Sequence, residues 1–293
     1  MLFAEGSLVA SETTAQPDPV ETSIWVFIVG ALATAILLCS GLRRLRRGVR
    51  LGWRGTPQAG IGVAVLLLFG GLFGGLVAAT KVDADASLAD QLIVMGGVWG
   101  GQALVLGGFL YWRIIRPREP SIGVHGRMPL HQAMFMGVLG LAIFWPITVA
   151  VSAVGAMAQE AITGTLPSAL AHGLLPDLLA AGPSSVAWGM VIAVTVGPAL
   201  FEEIMYRGLL QESLRRLSSG RPHAAWAAVA ATSLVFTLMH TAVVSPHALP
   251  GLFVLSLGFG WVVARTGRLA AGVTMHLLFN AGNLLIAVPW ITS

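Results

Sequence analysis

Runs of about twenty apolar residues recur from Ile24 to near the C-terminus, each closed by a short charged or glycine-rich link. A helix of that length is what crosses the ~30 Å hydrocarbon layer of a bilayer. In lipid every backbone polar group has to be satisfied within the chain, which leaves only helices and closed barrels. These runs are continuously apolar and rich in Leu, Ala and Gly, not alternating, and that argues against a barrel. Composition agrees: 56% of the 293 residues are hydrophobic, only 10% are charged, and mean hydropathy is +0.81, far from the balance of a soluble domain. The expected fold is all-α, a polytopic transmembrane helix bundle of about eight spans.

Charge orders the spans. The net charge of +4 and pI near 10.2 come from arginines clustered between apolar runs, which is a topology signal and not a nucleic-acid surface. The expected spans lie near 24 to 42, 58 to 79, 91 to 112, 131 to 157, 185 onward, 224 to 244, 251 to 264 and 269 to 290. With this count every arginine cluster falls on the cytoplasmic face of the plasma (inner) membrane, and both termini fall outside. An interfacial helix is expected in the outer segment that ends around "AGPSS". Residues 1–23 carry no Lys or Arg, so they lack the basic region of a signal peptide and are expected to be a retained, disordered outer segment. Residues 24–130 then form a three-span extension, and 131–293 form a core whose notable motifs lie within 185–292. The single cysteine, Cys39, allows no intramolecular disulfide.

Two glycine patterns, "GGLFGG" at 70 to 75 and "GGVWGG" at 96 to 101, each hold overlapping GxxxG spacings, which let helix backbones approach closely. The nine tryptophans, among them Trp25, Trp112 and Trp290, lie largely near span ends, as interfacial anchors do. His125, His131, His172, His223 and His247 fall in links or at span ends and are expected at the surface.

The fifth run contains "PALFEEIMYR". A carboxylate at the centre of a span costs about 2.5 to 3.5 kcal/mol on insertion scales and marks function by default. Glu202 and Glu203 point about 100° apart on a helix. Arg207 lies four residues after Glu203, the spacing at which the pair shares one face. Glu203 is therefore the structural partner of Arg207, and Glu202 is left to face the interior. Two further pairs at this spacing follow, Phe236 with His240 and His276 with Asn280. If the fifth helix turns back at "SSGRP", Glu202 and His240 are each ~18 residues, about 27 Å, from the tip. Residues equidistant from the turn of an antiparallel hairpin lie at one height. A shared polar cavity in the cytoplasmic half follows.

A carboxylate and an imidazole at one point can take a proton from water and hand it to a leaving amine. An Asn amide and a second imidazole can donate to the oxyanion of a tetrahedral intermediate. Together these amount to peptide-bond hydrolysis. Glu202, His240 and His276 are also the ligand types of a catalytic zinc site, so they are candidate ligands of a divalent metal. HExxH is absent, and residue types do not choose between metal-assisted and metal-free activation. Two other classes compete: a proton- or ion-coupled transporter, for which no inverted repeat is evident, and a non-proteolytic membrane adaptor or immunity protein, whose signature would be a broken motif set.

The order EExxxR, FxxxH, HxxxN on successive hydrophobic segments resembles the CPBP family of intramembrane proteases, which includes type II CAAX prenyl endopeptidases and bacteriocin-processing, Abi-like proteins. The resemblance covers about the last 110 residues and all three motifs are complete. It implies an all-helical intramembrane core in which Glu202 and His240 activate water while His276 and Asn280 stabilise the transition state. It also implies an endopeptidase of glutamate type or metal-dependent type. The implied substrate is a membrane-associated or lipidated peptide or protein within the bilayer, with CAAX-type processing among the expectations and no nucleic acid.

Overall fold

The computed structural model describes residues 24–40, 56–82, 87–115, 128–165, 167 and 184–287. These form eight helices and, among the described residues, no strand: α1 (Ile24–Cys39), α2 (Pro57–Ala79), α3 (Leu88–Ile115), α4 (Leu130–Thr163), α5 (Ser185–Leu217), α6 (Ala224–Met239), α7 (Leu249–Thr266) and α8 (Leu269–Ala287). Five of the eight, α2 to α5 and the 21-residue stretch Pro246–Thr266 that contains α7, are long and apolar enough to cross a bilayer. The segment 1–23, the arginine clusters at 43–54 and 116–120, the outer segment at 168–183, His125, His172 and the side chains of Trp112 and Trp290 lie outside the described residues.

Local chemistry sets the helix ends. Thr56 Oγ1 accepts from the Ala59 amide (3.2 Å) with Pro57 at the first helical position of α2, and Ser184 Oγ does the same for Ala187 (3.1 Å) at the start of α5. At α3, Ser87 and Asp90 exchange bonds in the capping-box manner. Gly164 and Gly267 end α4 and α7 at φ of 72° and 69°, where a left-handed residue closes the last turn. The sixth helix stops at Met239, five residues earlier than the apolar run implies. His240 leaves helical geometry (φ −98°, ψ 0°), and the chain then passes through turns and a short 3-10 turn, Pro246–Ala248, into α7.

Small residues decide which helices touch. The two glycine patterns pack on each other: a Cβ added to Gly74 would run into the carbonyl of Gly97, and one on Gly101 into that of Gly70. Such close approach is how helices associate without a hydrophobic driving force between them. Gly137 and Gly140 of α4 likewise lie against α8 and α7, sealing a core of Phe144, Leu255, Phe259, Trp261, Val262 and Met275. Ala64 and Leu67 of α2 join Met205, Tyr206, Leu209 and Phe236 in a second cluster. α5 is central, with α3 and α8 along its first half and α2, α6, α7 and α8 around its middle. The outer surface carries Phe73, Leu104, Ile162 and Leu285 fully in the open, as a lipid-facing surface does and a water-facing one does not.

Candidate active site

The middle of α5 is not an α-helix. The stretch Glu203–Gln211 is wound as a π-helix between two α-helical parts, Ser185–Glu202 and Glu212–Leu217. Such i→i+5 winding is rare and gathers at functional sites. Here it begins between the two neighbouring glutamates, and its buried face carries Glu203, Arg207 and Gln211.

Glu203 and Arg207 are both fully shielded and form an ion pair of 3.3 Å between Oε1 and Nη1. Further hydrogen bonds help to hold a buried charge. Arg207 Nη2 donates to the Ser256 hydroxyl (2.8 Å) and to the Ser256 carbonyl (3.3 Å). The guanidinium carbon lies 4.7 Å from the ring centroid of Phe236 and 5.2 Å from that of Phe259, within cation–π range. One turn further along, Gln211 Nε2 donates to the Gly260 carbonyl (3.1 Å). α7 thus offers Ser256, Phe259 and Gly260 from one face to the polar side of the π segment. None of these three belongs to a spacing motif. Ser256 and Gln211 do carry a legible signal, as polar residues inside apolar runs.

Glu202 faces a different partner. Its Oε2 lies 3.9 Å from Nε2 of His240, with the two side chains 15% and 22% exposed. His240 is held from behind, since its Nδ1 lies 2.7 Å from the Phe236 carbonyl. A carbonyl can only accept, so Nδ1 carries the proton and Nε2 of the neutral ring is the lone-pair nitrogen. The ring also stacks on Phe236 (centroids 4.3 Å, 29°). Phe236 is therefore the hub of the site, touching His240, Arg207 and, edge-on, Tyr206.

His276 is buried on α8, and its Nδ1 donates to Glu203 Oε1 (3.1 Å), which leaves Nε2 as its second ring nitrogen. The ring stacks on Phe259 (4.5 Å, 16°). α8 comes this close because Gly272, one turn before His276, has no side chain: a Cβ there would sit 2.5 Å from Glu203 Oε2. Asn280, one turn after, donates from Nδ2 to the carbonyl of Val194 in α5 (3.1 Å). The structure thus brings Glu202 to His240, and Glu203 to Arg207 and His276, while Asn280 reaches α5 two turns before the glutamates. Among the described residues no three His, Cys, Asp or Glu side chains are grouped to hold one metal ion. Of the other histidines described, His131 and His223 are exposed, whereas His247 is half-buried with Nδ1 shielded, because its turn packs on Gly155 of α4.

Residues 183–282 match the family model for type II CAAX prenyl endopeptidase Rce1-like proteins. The matched segment, about a third of the chain, carries every residue of the three motifs. No curated protein and no solved structure matches the chain. The protein is an all-helical bundle with five helices long and apolar enough to cross a membrane, and its residues 183–282 are similar to the Rce1-like type II CAAX prenyl endopeptidases, a group of CPBP-type intramembrane proteases.

Proposed function

We propose that the protein is an intramembrane endopeptidase in which Glu202 and His240 activate a water molecule. The observation that carries this reading is the 3.9 Å gap between Glu202 Oε2 and His240 Nε2. It is wider than a direct hydrogen bond, and both atoms are acceptors when the carboxylate is ionised and Nδ1 holds the ring proton. A water donating one O–H to each satisfies both and keeps a lone pair for attack. Its oxygen bonds to the scissile carbonyl carbon, and its proton passes to the Glu202–His240 pair. The C–N bond then breaks as that proton is delivered to the departing amine.

The oxyanion formed on the way requires donors. Asn280 supplies an amide N–H, since one of its two is engaged by Val194 and the other remains. His276 donates from Nε2 when its ring carries both protons, with Nδ1–H anchored on Glu203. Glu203, Arg207 and Phe236 hold these groups in place and do not touch the reacting atoms.

The Rce1-like match supports a substrate that is a prenylated peptide or protein ending in a CAAX-type tail. The arginines at the turn between α5 and α6 support cleavage near the cytoplasmic face of the plasma membrane. The test incubates purified protein with a synthetic farnesylated CAAX peptide, with and without a chelator, and identifies products by mass spectrometry. Release of the C-terminal tripeptide from the farnesylated peptide supports the reading. An intact peptide in both arms contradicts it. Cleavage that survives chelation supports the metal-free route, whereas loss restored by zinc contradicts it.

A further inference from the structure

Pro198 stands four residues after Val194 inside the α-helical part of α5. A proline has no N–H, so the Val194 carbonyl loses the intrahelical donor that residue 198 would otherwise supply. In a membrane such a freed carbonyl needs another donor, and a neighbouring helix is one source. Here the donor is Nδ2 of Asn280, 3.1 Å away on α8. A carbonyl only accepts, so this contact settles which end of the amide group faces α5. One N–H of Asn280 is spent on Val194, and the carboxamide plane is fixed by that bond.

We propose that Pro198 is a positioning residue for the hydrolytic reaction: by freeing the Val194 carbonyl it fastens the Asn280 amide in the one orientation that leaves its second N–H for the oxyanion. Pro198 lies outside all three motifs, and its role rests on the catalytic reading given above. The same bond ties α8, which carries His276, to the part of α5 that leads into Glu202. The register between the two helices and the direction of the oxyanion donor are thus set together.

Replacing Pro198 by Ala returns an N–H to Val194. The intrahelical bond then competes with Asn280, and the amide is released to rotate. Alanine is also far better than proline in a helix interior, so the variant is expected to melt at or above the wild-type temperature. A merely structural role would not combine that with lost turnover. The experiment measures kcat and KM on the farnesylated peptide, and thermal melting in detergent, for wild type, Pro198→Ala, Asn280→Ala and the double variant. Pro198→Ser restores the same N–H and is the second variant should Pro198→Ala not accumulate.

The expected result is a fall in kcat of about tenfold or more for Pro198→Ala with KM unchanged and melting temperature held or raised. Asn280→Ala is expected to lose about 100- to 1,000-fold, the range for an oxyanion donor, and the double variant no more than that. Pro198→Ala with kcat within twofold of wild type, or losses that multiply in the double variant, would overturn the proposal and leave the catalytic assignment of Asn280 standing. Full kcat for Asn280→Ala would instead overturn that assignment. That result would overturn the positioning role of Pro198 with it, since there would be no oxyanion donor to orient, whereas a normal Pro198→Ala beside a defective Asn280→Ala overturns the positioning role alone.

Discussion

Two adjacent glutamates divide the work because their surroundings differ. Glu203 is spent on structure: one oxygen serves Arg207 and His276 together, and the side chain is fully buried. Glu202 keeps partial access and faces the lone-pair nitrogen of His240 at 3.9 Å. Glu203→Gln removes the negative charge that pairs with a shielded arginine and leaves one neutral amide oxygen to serve both Arg207 and His276. Breaking a buried pair from one side costs about 3–5 kcal/mol, so this variant is expected to melt well below wild type and to accumulate poorly, as thermal unfolding in detergent would report; an unchanged melting temperature contradicts the structural role. Spacing alone made the Glu203–Arg207 pair and the meeting of Glu202 with His240 legible, because both follow from helix geometry and one hairpin turn. Ser256 stood out as a polar residue in an apolar run, but that it pairs with Arg207, and which carbonyl takes Asn280, were not legible. These partners lie 49 and 86 residues away, and no local periodicity encodes contacts across helices.

At the scale of elements, the departures from regular helix are where the site is. Nothing in "EIMYRGLLQ" announces a π-helix, since its apolar pattern reads equally as α. The early end of α6 is similarly silent, because Thr241 to Val244 are apolar or neutral enough to continue a span. That end places His240 at a helix terminus, where its ring folds back onto the Phe236 carbonyl. The approach of α8 to the π segment depends on Gly272. Gly272→Ala would put a methyl group 2.5 Å from Glu203 Oε2, and overpacking of this kind costs about 1–3 kcal/mol. The expected outcome is a lower melting temperature together with a lower kcat, because His276 moves with the same helix. Wild-type values of both would show that α8 has slack at this point.

In the whole molecule, the helices before the matched segment take part in the site's packing. α2 lies on the π segment, and Trp99 of α3 stacks flat on Phe201 (5.8 Å, 6°), beside Glu202 in sequence. Gly197 leaves the notch that the indole fills. The glycine patterns predicted close helix packing, and the structure adds that they pair with each other, which makes α2 and α3 one unit. Gly74→Leu is expected to force that unit apart and to lower both thermal stability and turnover, although residue 74 is remote from the motifs in sequence; unchanged stability and turnover would show that the hairpin is dispensable to the site. The central claim is that a carboxylate, an imidazole and an amide from α5, α6 and α8 make one hydrolytic centre. Its most direct test is the turnover of the farnesylated peptide by Glu202→Gln beside wild type, with matched melting curves. A loss of at least about 100-fold in kcat, at the low end of general acid–base contributions, with an unchanged melting temperature is expected; equal turnover by the two proteins would contradict the claim.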